Sequence, residues 1–289
     1  MDKLDDKVKD FMLYVLFGLK YQTAAFEELT KKEELFKICA KRAYRDLSRT
    51  LNYTLSSSEL YSNVKKSSYS KEEKKDYIDL KESFKEKICD LIKEKTGVLL
   101  SCKDQEKFDA EHTNVCNDII DFANEDKPNK TEEMKLFKDN EFYYGHAQKW
   151  LNMTLKNILL ISLFTGREDI WAAGDKSKLI SFFHVPVDSL IIEAVWEELD
   201  KDERFAKTRK KDSGFGGEKK AWSTWDGPKN EPATYFEDAD TDYSNFQMCI
   251  RKAIEKKEII KGTLYNCPIE WEFDAWIRTS MNREIKRYT

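Results

Sequence analysis

Phe142-Tyr143-Tyr144-Gly145-His146-Ala147-Gln148-Lys149-Trp150-Leu151-Asn152-Met153-Thr154-Leu155-Lys156 is the stretch on which the fold turns. Tyr144-Gly145-His146 predicts a break, and a helix is expected to begin near Ala147. Trp150, Leu151, Leu155, Ile158 and Leu159 recur at helical intervals, and the pattern ends near Thr165-Gly166. Lys149, Asn152 and Lys156 stand at i, i+3 and i+7, the spacing of a single polar stripe, which is ordinarily a solvated face.

Working outward, residues 31–48 place Leu35, Ile38, Cys39, Ala43 and Leu47 at helical spacing. Residues 71–95 place Leu80, Phe84, Ile88, Leu91 and Ile92 on one face, with Lys and Glu on the other. Thr131 followed by Glu132 and Glu133 reads as a helix start. Downstream, Val185-Pro186-Val187-Asp188 precedes a pattern of Ile191, Ile192, Val195, Trp196 and Leu199, so Asp188 is in place to cap a helix. Residues 200–242 are polar and hold several glycines and prolines, as a long loop or insertion does, and 243–289 return to helix. The expectation is an all-α catalytic domain over 1–289. Two helical lobes, 30–182 and 183–289 with 1–29, would flank a cleft, and a helix-hairpin-helix element would lie within 131–165.

Composition agrees with helices. Charged residues are 36% of the 289, while Gly is only 10 and Pro only 5, too few turn formers for a many-stranded sheet. Aromatics at 13% demand a buried core and exclude a wholly disordered chain. A net charge of −4 excludes a generically basic nucleic-acid binder, so any such surface must be local. No apolar run reaches the roughly 20 residues that span a bilayer. The longest candidate, Phe11 to Leu19, follows Asp2, Asp5 and Asp6 and does not resemble a secretory leader, so a cytoplasmic protein is expected. The six cysteines show no C-x-x-C. Cys102, His112 and Cys116 are the only grouping that suggests a metal, and they match no zinc spacing.

Gly145-His146-Ala147-Gln148-Lys149 fits a G-x-(G/A)-x-K hairpin, and Val185-Pro186-Val187-Asp188 reproduces a V-P-V-D segment. From Phe142 to Asp188 the chain resembles the helix-hairpin-helix DNA glycosylases, and looks closest to the archaeal 8-oxoguanine branch. The resemblance implies a nucleophilic Lys149 and an electrostatic partner in Asp188. It also implies DNA phosphate held by the backbone of Gly145, His146 and Ala147, DNA as the partner, and no metal or other cofactor. A monomer is the simplest expectation.

The chemistry is coherent without the family. A neutral lysine amine attacks C1′ and a nearby carboxylate steadies the cationic sugar. A flipped base also needs stacking and edge-reading partners. Tyr143, Tyr144, Trp150, His184, Trp222 and Trp225 are the candidates, with the last two able to form a lid from the polar 200–242 region. Arg204, Lys207, Arg209, Lys210 and Lys211, then Lys219 and Lys220, form a basic cluster. Arg209, Lys210 and Lys211 are its candidate phosphate contacts. Two rivals are weighed. A HEPN-type RNase needs Arg followed four to six residues later by His, which none of the three histidines satisfies. A helical interaction module without chemistry is the other.

Overall fold

The computed structural model describes residues 2–18, 31–56, 59–60, 69–125, 136–137, 142–171, 175–199, 221–228, 242–257 and 259–288. Among these, every extended element is helical, and the only β pairings are the isolated bridges Tyr53–Phe137 and Ile260–Thr263. In chain order the helices are α1 (Asp2–Phe17), α2 (Lys32–Leu47), α3 (Lys71–Leu99), α4 (Gln105–Glu125), α5 (Tyr144–Thr165), α6 (Lys176–Ser181), α7 (Ser189–Glu198), α8 (Asp242–Glu255) and α9 (Pro268–Tyr288). Single 3-10 turns lie at Glu168–Ile170 and Trp222–Thr224. No described helix is long and apolar enough to cross a membrane.

The expected periodicities produce α2 and α3. The α2 stripe Leu35, Phe36, Cys39, Ala40, Ala43, Tyr44 and Leu47 is buried. Its small members let α5 approach closely, and α5 uses the oxygens this exposes. Trp150 Nε1 donates to Ala40 O at 2.9 Å and Asn157 Nδ2 to Cys39 O at 3.2 Å. α3 starts at a capping box, in which the Glu73 N–H donates to Ser70 Oγ at 3.1 Å and the Ser70 N–H to Glu73 Oε2 at 2.6 Å.

α5 is the axis of the molecule. α1, α2 and α4 pack on it, and so does the Trp222–Thr224 turn. It is therefore buried nearly all round, as a helix apolar on one face cannot be. This overturns the solvated-stripe expectation: Lys149 and Asn152 are buried and Lys156 is half-buried. The break expected at Tyr144–His146 is also corrected, because those residues form the first turn of α5, with Tyr143 as its N-cap. The hairpin signal misled because Gly145 serves packing. A Cβ there would sit 2.1 Å from Trp222 O and 2.6 Å from Ser223 O, so only glycine admits that crossing segment. The far end of α5 is as expected, with Gly166 taking the left-handed conformation at φ 67°.

The main core runs from Leu13 on α1 to Ala275 on α9, and a smaller cluster gathers Leu55, Leu60 and Tyr77. α1 packs on α2 and α5. α9 is fastened to α7 through Glu198. That carboxylate accepts from Trp271 Nε1 at 3.0 Å and from Arg278 Nε and Nη2 at 3.0 and 2.8 Å. The helix start at Thr131 lies outside the described residues.

Candidate active site

Lys149 lies in the second turn of α5 and is 7% exposed. The extended segment 183–188 runs beside α5 and ends on Asp188, the N-cap of α7. Asp188 Oδ1 accepts the N–H groups of Leu190 and Ile191 at 2.9 and 3.0 Å. Its other oxygen, Oδ2, lies 3.9 Å from Lys149 Nζ. The carboxylate thus divides its work, one oxygen fixing it to a helix start and the other facing the amine. The indole of Trp222 stands over the amine with Nζ 4.6 Å from the ring centre.

Burial is the largest influence on Lys149 and lowers its pKa. Asp188 and Asp46 oppose that shift, while Arg49 adds to it. His146, one turn earlier on the same helix, is buried, and burial together with the Lys149 charge brings its pKa down to about 4. Its Nδ1 accepts the Tyr143 N–H at 3.3 Å, which leaves the proton of the neutral ring on Nε2.

What holds the Asp188 segment against α5 is a buried polar network. Gln148 Oε1 accepts the Val187 N–H at 3.3 Å, and Asn152 Nδ2 donates to Val185 O at 3.3 Å. From α8, Gln247 grips Val185 on both sides, accepting its N–H at 2.9 Å and donating to its carbonyl at 2.7 Å. His184 Nδ1 meets Tyr243 Oη at 2.6 Å, and its Nε2 meets Asp109 Oδ1 at 2.7 Å. Asp109 receives Arg251 through two 2.7 Å bonds. That guanidinium and His184 outweigh burial and hold the Asp109 carboxyl well below the usual range. Burial brings the His184 imidazole to about 4.

A second pair extends the site along α5. Lys156 Nζ donates to both oxygens of Glu272 at 2.8 and 2.6 Å, and the Glu272 side chain is 2% exposed. Burial raises the Glu272 pKa against the opposing pull of Lys156, and Asp188 adds to the rise from nearby.

The sequence candidates fall into three groups. Lys149, Asp188 and Trp222 meet, with His146 alongside and Tyr143 half-buried at the same helix start. Trp150, Tyr144, His184 and Trp225, expected to line a base pocket, are buried in the core. Trp150 is spent on Ala40 O, Tyr144 packs edge-on to Tyr243, His184 sits in the Asp109 network, and Trp225 packs on Phe246. The α5 start, where phosphate contacts were expected, has its N–H groups engaged within the protein. The Gly145 N–H donates to Trp225 O at 3.2 Å, the N–H groups of His146 and Ala147 both donate to Tyr143 O, and all three residues are buried. Arg204, Lys207, Arg209, Lys210, Lys211, Lys219 and Lys220 lie outside the described residues.

Cys102 and Cys116 do not converge on a metal. Cys102 Sγ donates to Val98 O at 3.5 Å, while His112 Nε2 meets Asn152 Oδ1 at 2.6 Å. No cluster of three potential metal ligands exists among the described residues. The sequence reading missed Glu272, Gln247, Arg251 and Asp109. Polar residues inside otherwise amphipathic helices were their only local sign. Comparison with family models, curated proteins and solved structures finds no match to the chain.

Proposed function

We propose that this chain is a DNA glycosylase that excises a flipped-out modified base through Lys149 and Asp188. The observation that carries the proposal is a buried lysine of lowered pKa with a carboxylate oxygen 3.9 Å from its amine. Burial favours the neutral form of this amine, the form that nucleophilic attack requires. The Lys149 nitrogen bonds to C1′ as the C1′–base bond breaks, and the departing base takes the bonding electrons and a proton. Opening of the sugar ring moves the second proton of the amine to the ring oxygen and leaves a Schiff base, which takes up a proton from solvent. Loss of a C2′ proton then expels the 3′ phosphate, giving strand cleavage. Asp188 Oδ2 steadies positive charge as it develops at C1′. The resemblance of residues 142–188 to the helix-hairpin-helix glycosylases supports oxidised guanine as substrate. A bulkier modified base, of the kind carried by phage genomes, is the other substrate class, and it would place the enzyme in defence rather than repair. Phosphate contacts from Arg209, Lys210 and Lys211 belong to the same proposal.

The test is incubation with duplexes carrying a panel of modified bases and an abasic site, then borohydride reduction and mass spectrometry. The expected result is a covalent adduct on Lys149 that disappears in Lys149→Gln while the circular dichroism of the fold is retained. Full base release by a folded Lys149→Gln variant overturns the assignment.

A further inference from the structure

Sealing of the α5 start raises the question of where an anionic backbone would lie. The answer lies on α2. Its C-terminal end lies near the site: the Tyr44 ring is 5.0 Å from that of Trp150, the residue after Lys149, and Asp46 in the last turn and Arg49 just beyond the helix both act on the Lys149 charge. On the adjoining face of α2, Lys41, Arg45 and Ser48 stand at i, i+4 and i+7. They form one wall of a groove of about 320 Å³ whose other wall is the first half of α3, with Ile78, Lys81, Lys85 and one carboxylate, Glu82.

The charges in this groove are unevenly matched. Lys41 pairs with Glu86 at 2.8 Å, and Lys85 pairs with Glu82 and Glu86. Arg45 is exposed and has no carboxylate within ion-pair distance among the described residues. Lys81 has none either. Its ammonium lies 3.8 Å from the centre of the Tyr53 ring. Burial lowers its pKa. A half-buried ammonium held against an aromatic face with no counter-ion is an unusual arrangement in a protein of net charge −4. Arg49, four residues beyond Arg45 and past the end of α2, has a side chain 79% exposed and only a 3.8 Å contact to Asp46. Arg49, Arg45 and Lys81 thus lead from the edge of the Lys149 site into the groove.

We infer that the α2–α3 groove binds the sugar–phosphate backbone of a nucleic acid beside the Lys149–Asp188 pair, with Arg45 and Lys81 as its phosphate contacts. The inference rests on the glycosylase reading for the nucleic acid and on the groove for the place. A row of two unpaired cations and a third weakly paired one suits a chain of phosphates spaced along a strand. Phosphates neutralised by such side chains release counter-ions and contribute affinity without sequence preference. Free phosphorylated small molecules share this chemistry, and the experiment separates the two sources.

Binding of a labelled duplex holding one abasic site is measured against salt for the unaltered protein, for Arg45→Gln/Lys81→Gln and for Arg45→Glu. The last changes only an exposed side chain and guards against loss of the Tyr53 contact. Each lost duplex contact should flatten the plot of log K against log salt by about 0.9, so the double variant should lose about 1.8. Arg45→Glu should weaken binding at low salt, and pyrophosphate should compete only weakly with duplex. Borohydride adducts are read in the same samples, so the two ideas fail separately. Binding with a flattened slope but no adduct keeps the groove and removes the glycosylase. An adduct with an unchanged slope in both variants removes the groove. Pyrophosphate binding that is lost in the double variant while the duplex slope stays fixed assigns the groove to a small phosphorylated ligand and overturns the inference. Absence of any duplex binding by the unaltered protein overturns both.

Discussion

Replacing Asp188 by Asn and by Ala separates its two oxygens. Asn caps a helix about as well as Asp, so the bonds from Leu190 and Ile191 to Oδ1 survive in Asp188→Asn. Ala removes them at a cost of about 1 kcal/mol, or about 2–4 °C in Tm for a chain of this order of size. Both variants remove the charge 3.9 Å from Lys149 Nζ. Two unit charges at that separation interact by about 4 kcal/mol at an effective dielectric constant of about 20, an upper bound for what Oδ2 contributes to a neighbouring cation. Losing a group aimed at charge developing at C1′ should slow base release by about 10²–10³-fold in either variant. Loss of the carboxylate should also lower the Lys149 pKa further, because Asp188 now opposes the effect of burial. The acid limb of the rate profile should therefore move to lower pH. Single-turnover base release across pH, paired with thermal melting, reads all three quantities. If the Asn variant releases base at the unaltered rate, or if rate follows Tm through both variants, Asp188 is a helix cap and nothing more.

Three other outcomes are expected. Lys149→Met should raise Tm at neutral pH, since the folded state lowers that pKa and so disfavours the ammonium. Between the lowered folded value and the unfolded value near 10.4, the unfolded chain holds the extra proton and stability rises with pH. The advantage of Met should therefore shrink as pH approaches 10 in melting experiments. Lys156→Met leaves Glu272 buried and unpaired and should cost about 3–5 kcal/mol by denaturant unfolding. Lys156→Met/Glu272→Leu should recover most of that loss, and equal destabilisation of both variants would refute the pairing argument. Gly145→Ala should push the 222–225 segment off α5, where a Cβ would come within 2.1 Å of Trp222 O, and uncover Lys149. Tryptophan emission should shift to the red and the lysine should acetylate faster, while unchanged emission and reactivity would count against the crossing.

Periodicity found α2 and α3 because their apolar positions repeat against a charged background that stays in solvent. The same rule misjudged α5. Its Lys149–Asn152–Lys156 row has the spacing of a surface stripe, and its burial depends on partners the local pattern does not contain: Asp188, Val185 and Glu272, the last 116 residues from Lys156. Asp188 was legible both as a cap and as a partner for Lys149, since a carboxylate has two oxygens. Gly145 was read as a turn because glycine favours turns, whereas the structure uses its missing side chain for the Trp222–Trp225 crossing. Trp150, Tyr144 and Trp225 show the reverse error. An aromatic residue near a candidate nucleophile suggests a binding surface, but nothing in the sequence distinguishes it from one that fills the core.

The crossing at Gly145 also bears on how the protein is made. Residues 222–225 leave the ribosome long after α5, and until they arrive the amine of Lys149 lacks the indole that covers it. A nascent chain ending before that point leaves this lysine without its indole cover and more open to water. The covered environment of this amine is thus withheld from copies truncated before the segment. Long-range closure of this kind delays folding, and here it ties the covering of one amine to a segment more than 70 residues downstream of it.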